Sequence, residues 1–343
     1  MKKSKVVFLK VKVGRASLEN TVRRAMNLAE WTECIKGDSI FLKINAMSHL
    51  VVPGTNTSPW VLEAVLKEIR AKFPDITLNF GDGDLCSCKN VDRAGINWGY
   101  VGLAKKYNCN YINLTRDKQR LVEIGGVFGK LKISDTLLKS DSIISIPIMK
   151  THVWSKMTAS LKNMYGCLPI ERHIYHLWLD RAIVDINAFL RPKFTLVDGT
   201  LGIEGSGPRT GFVKVSNIVM ASKDLVAADT LAAEFMGFDI NQIKYIGLAE
   251  KAGLGSTKYE VIGDKFTPTR YKRATDTIVT YWHKRLRFSF LEKLLFRTFM
   301  FKILAWLATQ YNTKYWYPCK GRKYRDSIVK NTWYGKQFQN LHR

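Results

Sequence analysis

The 343 residues carry 54 Lys and Arg against 29 Asp and Glu, a formal net charge of +25, with 46% apolar and 24% charged side chains. This is the composition of a folded chain long enough for a sizeable core, which excludes a mostly disordered protein. A cationic excess of this size calls for an anionic partner: nucleic acid, an acidic membrane surface or a negatively charged small molecule.

From the N-terminus, Val6–Val13 is a β-branched run, Leu18–Trp31 has helical spacing and Ser39–Ile44 is an apolar stretch of strand length. Pro59 opens a helix over Trp60–Ala71, since proline is tolerated in the first turn. Ile76–Phe80 is strand-like and ends at Gly81-Asp82-Gly83-Asp84, and Ser142–Ile148 reads as a buried strand. Met157–Tyr165 has helical character, and His173–Leu190 is a helix stopped before Pro192. Phe194–Val197 and Asn217–Ala221 are strands. Asp224 is the N-cap of an Ala-rich helix over Leu225–Met236. The stretch Gly199–Gly211 is too rich in glycine to be regular throughout and is expected to be an ordered loop. This alternation predicts an α/β fold over residues 1–264, a mostly parallel sheet flanked by helices.

Five of the apolar runs end in polar groups. Asn45 follows Ile40–Ile44, Asp82 and Asp84 follow Ile76–Phe80, and Lys150 and His152 follow Ile143–Met149. Asp198 follows Phe194–Val197, and Ser222, Lys223 and Asp224 follow Ile218–Ala221. Ligands of open parallel sheets bind outside the carboxyl ends of the strands. Parallel runs would therefore gather these groups at one edge. The plainer alternative is that strands end in polar residues because loops are solvated.

Lys150-Thr151-His152 begins the segment richest in cations and imidazoles, which continues through Thr158, Lys162, Asn163, Arg172, His173 and His176. A lysine at a strand end holds an anion, or acts as a base when desolvated, and a neutral histidine shuttles a proton. On a helix Thr158 and Lys162 would share a face at i, i+4. His173 and His176, at i, i+3, have a spacing usable for metal or for solvating a helix start. Asp198 and Glu204, in the segment with Gly205 and Gly207, are candidates for binding a divalent cation or for proton transfer. The glycines would let the backbone N–H groups approach a ligand. The segment matches neither a P-loop nor a dinucleotide fingerprint. Asp229 lies one turn into the Ala-rich helix, within reach of the same edge or of a neighbouring loop.

At these residues the sequence resembles the bacterial and archaeal family known as domain of unknown function 362, whose members are often described as iron–sulfur-associated. The resemblance rests on Lys43-Ile44-Asn45, Thr57-Ser58-Pro59, Gly81-Asp82-Gly83 and Pro147-Ile148-Met149-Lys150-Thr151-His152. It continues through Leu161-Lys162-Asn163, Gly166, Pro169, His176, Val197-Asp198-Gly199, Glu204-Gly205-Ser206-Gly207-Pro208 and Asp224–Asp229, and so spans about residues 38–264. It implies an α/β domain but no established reaction. Some members carry a ferredoxin-type cysteine quartet, and this chain has no such motif. A fainter similarity is to lactate racemases, on Met157–Gly166 with Lys162, and implies a metal-cofactor redox or racemase-like alternative.

Residues 265–343 hold 18 Lys and Arg, 3 Asp and Glu and 18 of the 40 aromatic residues. Residues 277–311 read as one long helical region. Within it Phe288–Leu307 is apolar on every side, with four charges, too many for a membrane span and no clean stripe. Flanking cations and tyrosines suit an anionic membrane surface. Packing on the main domain or a homo-oligomer is the alternative, and nucleic acid is disfavoured because no recognised module is present. The six cysteines show no paired pattern, and the basic N-terminus lacks the apolar run of a signal peptide. The expected compartment is therefore the cytoplasm, peripheral on the membrane. The sequence leaves open whether Cys86, Cys88 and Cys167 meet. The combined reading is an enzyme acting on an anionic small molecule or lipid-linked intermediate, with cofactor and reaction class open. His152, Lys150, Asp198 and Glu204 would be catalytic. Asn45, Asp82, Thr158, Lys162, Asn163, His176, Gly205, Gly207 and Asp229 would bind the ligand. The alternative is a non-catalytic binding or scaffold protein.

Overall fold

The apolar runs become strands in the computed structural model, which describes residues 3–86, 90–276 and 278–340. These are β1 (Ser4–Lys10), β2 (Ser39–Ile44), β3 (Thr77–Asp82), β4 (Asn110–Asn113), β5 (Gln119–Gly125) and β6 (Gly129–Ser134). They continue as β7 (Ser142–Ile146), β8 (Ile148–His152), β9 (Lys156–Thr158), β10 (Phe194–Glu204), β11 (Phe212–Ser222) and β12 (Tyr259–Gly263). The main sheet has the order β12-β1-β11-β10-β7-β2-β3-β4, with β8 on β10 and β9 on β8, and β5–β6 form a separate ribbon. All main-sheet pairings are parallel except those of β11 and β9. The predicted α/β class with a mostly parallel sheet is what the chain adopts. Helices Arg15–Leu28 and Pro59–Lys72 bury one face of the sheet, and helices Leu179–Leu190 and Leu225–Phe235 bury the other.

Three expectations are corrected. First, β11 is antiparallel to both neighbours, so Ser222–Asp224 lies at the edge opposite the other four strand ends. There Asp224 caps the helix Leu225–Phe235 through the Val226 and Ala227 N–H groups and accepts from Ser4 Oγ at 2.6 Å. Second, Gly199–Glu204 is not loop but the continuation of β10, with a register shift between Gly199 and Leu201. Glycine is needed there for close approach: a Cβ on Gly202 would lie 2.4 Å from the Met149 carbonyl oxygen. Third, Met157–Tyr165 is not one helix. Thr158 pairs with Lys150 across the β8–β9 hairpin, and only Ser160–Asn163 is α-helical.

The stretch 277–311, expected as one helix, is broken into Ile278–Arg287, Glu292–Phe296 and Met300–Gln310, the last of which runs on directly into Tyr311–Gly321 and Arg322–Asn331. Side chains competing for the backbone mark the breaks. Ser289 Oγ donates to the Leu286 carbonyl at 2.7 Å and accepts from Leu291 N–H at 3.2 Å. Further on the chain re-enters the main core. Tyr334 stacks on Trp60 with ring centroids 5.2 Å apart, and Phe338 meets the edges of Trp60 and Trp98 at 5.0 and 5.3 Å. Tyr334→Ala will therefore cost about 3–5 kcal/mol in chemical denaturation; a loss below 1 kcal/mol would show that this docking does not hold in solution.

Candidate functional site

A lysine in the middle of a buried central strand needs a partner. Lys43 of β2 finds Asp82 at the end of β3, with Nζ 2.6 Å from Oδ1. Asp82 also accepts from the Ala46 and Gly83 N–H groups at 2.8 Å each. Asn163 locks the arrangement. Its Oδ1 accepts from Lys43 Nζ (3.2 Å) and Asn45 Nδ2 (2.9 Å), and its Nδ2 donates to the Lys43 carbonyl and Ser145 Oγ. Asn45 Oδ1 in turn accepts from Ile148 N–H at 2.9 Å. Asn163 therefore spends its bonding capacity on the protein, and Asn45 is fixed by it. They build the floor of the site.

Above that floor is a polar cavity of about 70 Å³ at the carboxyl ends of β2, β3 and β8. Its walls include Lys43, Asn45, Asp82, Lys150, His152, Thr158, Lys162, Asn163 and Arg172. Three of its cations, Lys150, Lys162 and Arg172, make no ion pair among the described residues. Lys150 Nζ donates to the Thr55 carbonyl at 2.8 Å, and Arg172 donates to the Leu168 and Gly83 carbonyls. Lys162 Nζ lies 4.5 Å above the Tyr165 ring. Burial lowers both lysines to about 7; Asp82 opposes the shift at Lys150, and Arg172 and Lys43 deepen it at Lys162. The site is a cluster of cations held short of carboxylates, with two ammonium groups poised near neutrality.

His152 closes β8. Its Nδ1 accepts from the Trp154 and Ser155 N–H groups at 3.0 and 3.3 Å, so the proton of the neutral ring sits on Nε2. Burial, then Lys162 and His176, hold the ring well below the usual histidine range. With the ring neutral, the expected acid–base role narrows to hydrogen-bond donation from Nε2–H. His176 has the opposite tautomer: Nδ1 donates to the His173 carbonyl at 2.9 Å, leaving Nε2 with a lone pair.

The polar cavity opens into a much larger apolar chamber of about 550 Å³. Met47, Leu85, His152, Lys162, Tyr165, Arg172 and Pro208 line both. Trp154 and His176 add walls from the α/β domain, and the tail roofs the chamber with Leu286, Phe296, Phe301 and Leu304.

The remaining residues predicted for the site lie outside both cavities. Asp198 accepts from Ser58 N–H at the start of the helix Pro59–Lys72 and from Thr200 N–H and Oγ1. Glu204 accepts from Lys214 Nζ and Lys272 N–H. The N–H groups of Gly205 and Gly207 are bonded to the Lys272 and Gly205 carbonyls, so they form no anion cradle. Gly207 instead permits contact with β8, since a Cβ there would lie 2.1 Å from the Thr151 carbonyl oxygen. Asp229 accepts from Ser160 and Leu161 N–H at 2.6 and 3.1 Å and holds the turn that presents Lys162. Asp229→Ala leaves two buried donors unpaired, so a loss of about 2–4 kcal/mol is expected in urea unfolding. An unchanged midpoint would dismiss this bracing role.

A divalent cation does not fit these donors. The Lys43 ammonium occupies the side of Asp82 where a metal would bind, and among the described residues no three His, Cys, Asp or Glu converge. Cys86 lines the chamber, Cys167 is buried, and Cys88 lies outside the described residues.

The fold and site define an α/β protein with an unbalanced cationic pocket under a helical roof. The chain belongs to the family described as domain of unknown function (DUF362), whose model matches residues 40–234. A thylakoid-associated protein of Synechocystis sp. is 28% identical over 237 residues, covering 66% of this chain and 71% of that one. The lactate racemase apoprotein from Thermoanaerobacterium thermosaccharolyticum is similar in structure, with a TM-score of 0.45 and 15% identity. That likeness covers 68% of this chain, and the chain spans 57% of the racemase.

Proposed function

We propose that the protein binds an amphipathic anion and is an enzyme acting at its head group. The phosphate or carboxylate head occupies the polar cavity, on Lys150, Lys162 and Arg172, and the apolar tail fills the chamber. The observation that carries this reading is the adjacency of cations lacking carboxylate partners among the described residues to an apolar space of about 550 Å³. Buried cations without counter-charge are costly, and an anion that supplies the counter-charge gains what the empty site lacks. At the head, Lys162 takes or returns a proton near neutral pH, and the neutral His152 steadies an oxygen by a hydrogen bond from Nε2–H. Lys150 fixes the head in place. The tail's cations and the thylakoid-associated relative support a peripheral membrane location.

A non-catalytic carrier is the second reading, favoured by the commitment of Asp82 to Lys43 and of Asp198 and Glu204 to other parts of the fold. Octyl phosphate is a direct probe. Calorimetry should show one site per chain. Extraction of the purified protein followed by mass spectrometry should recover an amphipathic anion, and His152→Ala should retain that anion while abolishing its conversion. Failure of octyl phosphate to bind would refute the anion reading; conversion by His152→Ala at the wild-type rate would remove the histidine's role.

A further inference from the structure

The tail helices are apolar on two faces, and only one of them is used by the fold. The inner face, with Leu286, Phe296, Phe301 and Leu304, walls the chamber. The outer face presents Phe290, Leu294, Phe299, Ile303 and Trp306, with Phe290 93%, Phe299 68% and Trp306 59% exposed. A roof packed on a domain needs a single apolar face. Large apolar side chains left exposed in this number on one short segment mark an interaction surface.

Two observations select the occupant. The first is charge. Arg285, Lys293, Arg297 and Lys302 are exposed on these helices, whereas Glu292, the one acidic residue of Ile278–Gln310, is buried against Arg287 and Arg297. A second copy of this chain would bring like charges face to face. An anionic bilayer is complementary in both respects, offering acyl chains to the apolar groups and phosphates to the cations. The second is the position of the mouth. Ile278, Trp282 and Leu307 line the chamber and are themselves exposed, so the mouth of the chamber lies among the tail helices, beside the exposed apolar groups.

We propose that the outer face of Ile278–Gln310 docks in the headgroup–acyl boundary of an anionic membrane, and that the chamber draws its amphipathic ligand from that leaflet. The helices lie in the plane of the surface, since none of the described helices is long and apolar enough to cross a bilayer. The ligand clause rests on the proposed function; the docking clause does not.

The test is flotation of the full chain with phosphatidylcholine vesicles, with and without about 30 mol% phosphatidylglycerol, paired with octyl phosphate calorimetry. The variant combines Phe290→Ser, Phe299→Ser and Trp306→Ser, exposed positions whose change leaves the core intact. Wild type should float with anionic vesicles, and less so at high salt. The variant should lose at least about tenfold in vesicle affinity while binding octyl phosphate as wild type does. Flotation of the variant at the wild-type level, or no flotation of wild type, overturns the docking. A concentration-dependent dimer that the variant loses would assign the face to a second copy and overturn it too. Flotation that depends on these side chains, with no octyl phosphate binding by either protein, upholds the docking and overturns the pocket reading alone.

Discussion

Lys162→Met will make the ligand-free protein more stable and weaken its hold on an anion. The ammonium has no ion pair or hydrogen bond among the described residues, only the Tyr165 ring at 4.5 Å. Burial first, then Arg172 and Lys43, lower it from the usual lysine range to about 7, so the charged form is costly at this position. Methionine keeps the length and the ring contact without the charge. The expected gain at pH 6 is on the order of 2 kcal/mol, discounted because the group reaches the cavity, or a few degrees in Tm. The expected loss in octyl phosphate affinity is about 10–100-fold, the worth of one charge-assisted contact in a dry site. Lys162→Arg, which keeps the charge, should recover part of the binding. A variant that melts lower than wild type and binds normally would remove Lys162 from the site and make it a structural residue. Opposite movements of stability and binding are expected of a group kept for function at the fold's expense.

Ligand affinity and fold stability will move in opposite directions between pH 7 and about pH 8.5, below the range in which the thiols of Cys34, Cys109 and Cys167, pushed up by burial, begin to oppose the rise in stability. The probe here is octyl sulfate, whose head stays singly charged throughout. Lys150 and Lys162 lie at about 7 in the folded protein because burial disfavours their charged forms. An anion binds the charged forms, so affinity is constant well below pH 7 and falls as pH rises through it. The fall is about tenfold per unit if one lysine must be protonated, and steeper if both must. Binding near pH 8 should therefore take up protons, seen as a dependence of the calorimetric heat on buffer. Stability has the reverse sign. Between about 7 and 10.5 the unfolded chain binds more protons at these two positions than the folded one, so the two lysines by themselves raise the unfolding free energy with pH. Below 7 both states are protonated and the lysines contribute no slope. His152 and His176 are held neutral mainly by burial and add no slope above their ordinary range. Affinity that is flat from pH 6 to 9 would place the anion elsewhere.

The core of the site was legible because strand ends are legible. Lys150 and His152 follow a run too apolar to be anything but buried strand, and parallel pairing brings them to the ends of β2 and β3. Lys162 came from the same cluster of cations, although its turn is not the helix expected. What the pattern could not show is where a strand stops. β10 runs six residues beyond Asp198, so the carboxylate that looked like a strand end is mid-strand under the helix Pro59–Lys72. Nor does a one-dimensional pattern carry direction, which is how Ser222–Asp224 came to be grouped with the wrong edge. Lys43 is the residue that reading by strand ends missed as a member of the site, although the signal was present. A lysine between Leu42 and Ile44 in a central strand has no route to water and must meet a counter-charge. The tail was ambiguous for a related reason. A helix apolar on all sides looks like a span, a core helix or an interface, and here its two halves have different uses, one walling the chamber and the other open to the surroundings.

The roof is tied down at both ends. Tyr271 is buried in the core ahead of it, and Ile328, Tyr334 and Phe338 are buried in the core behind it. A protease that cuts the chain between Arg287 and Met300 thus releases nothing. The two pieces separate in denaturing gels but co-purify under native conditions, each kept by its own anchor. Such a nicked protein distinguishes continuity of the chain from continuity of the lid. It will keep its core melting transition, and the severed ends will be free to swing apart over the chamber. In this architecture the covering segment is a bridge between two fixed abutments, and a bridge can be opened at mid-span without the loss of either bank.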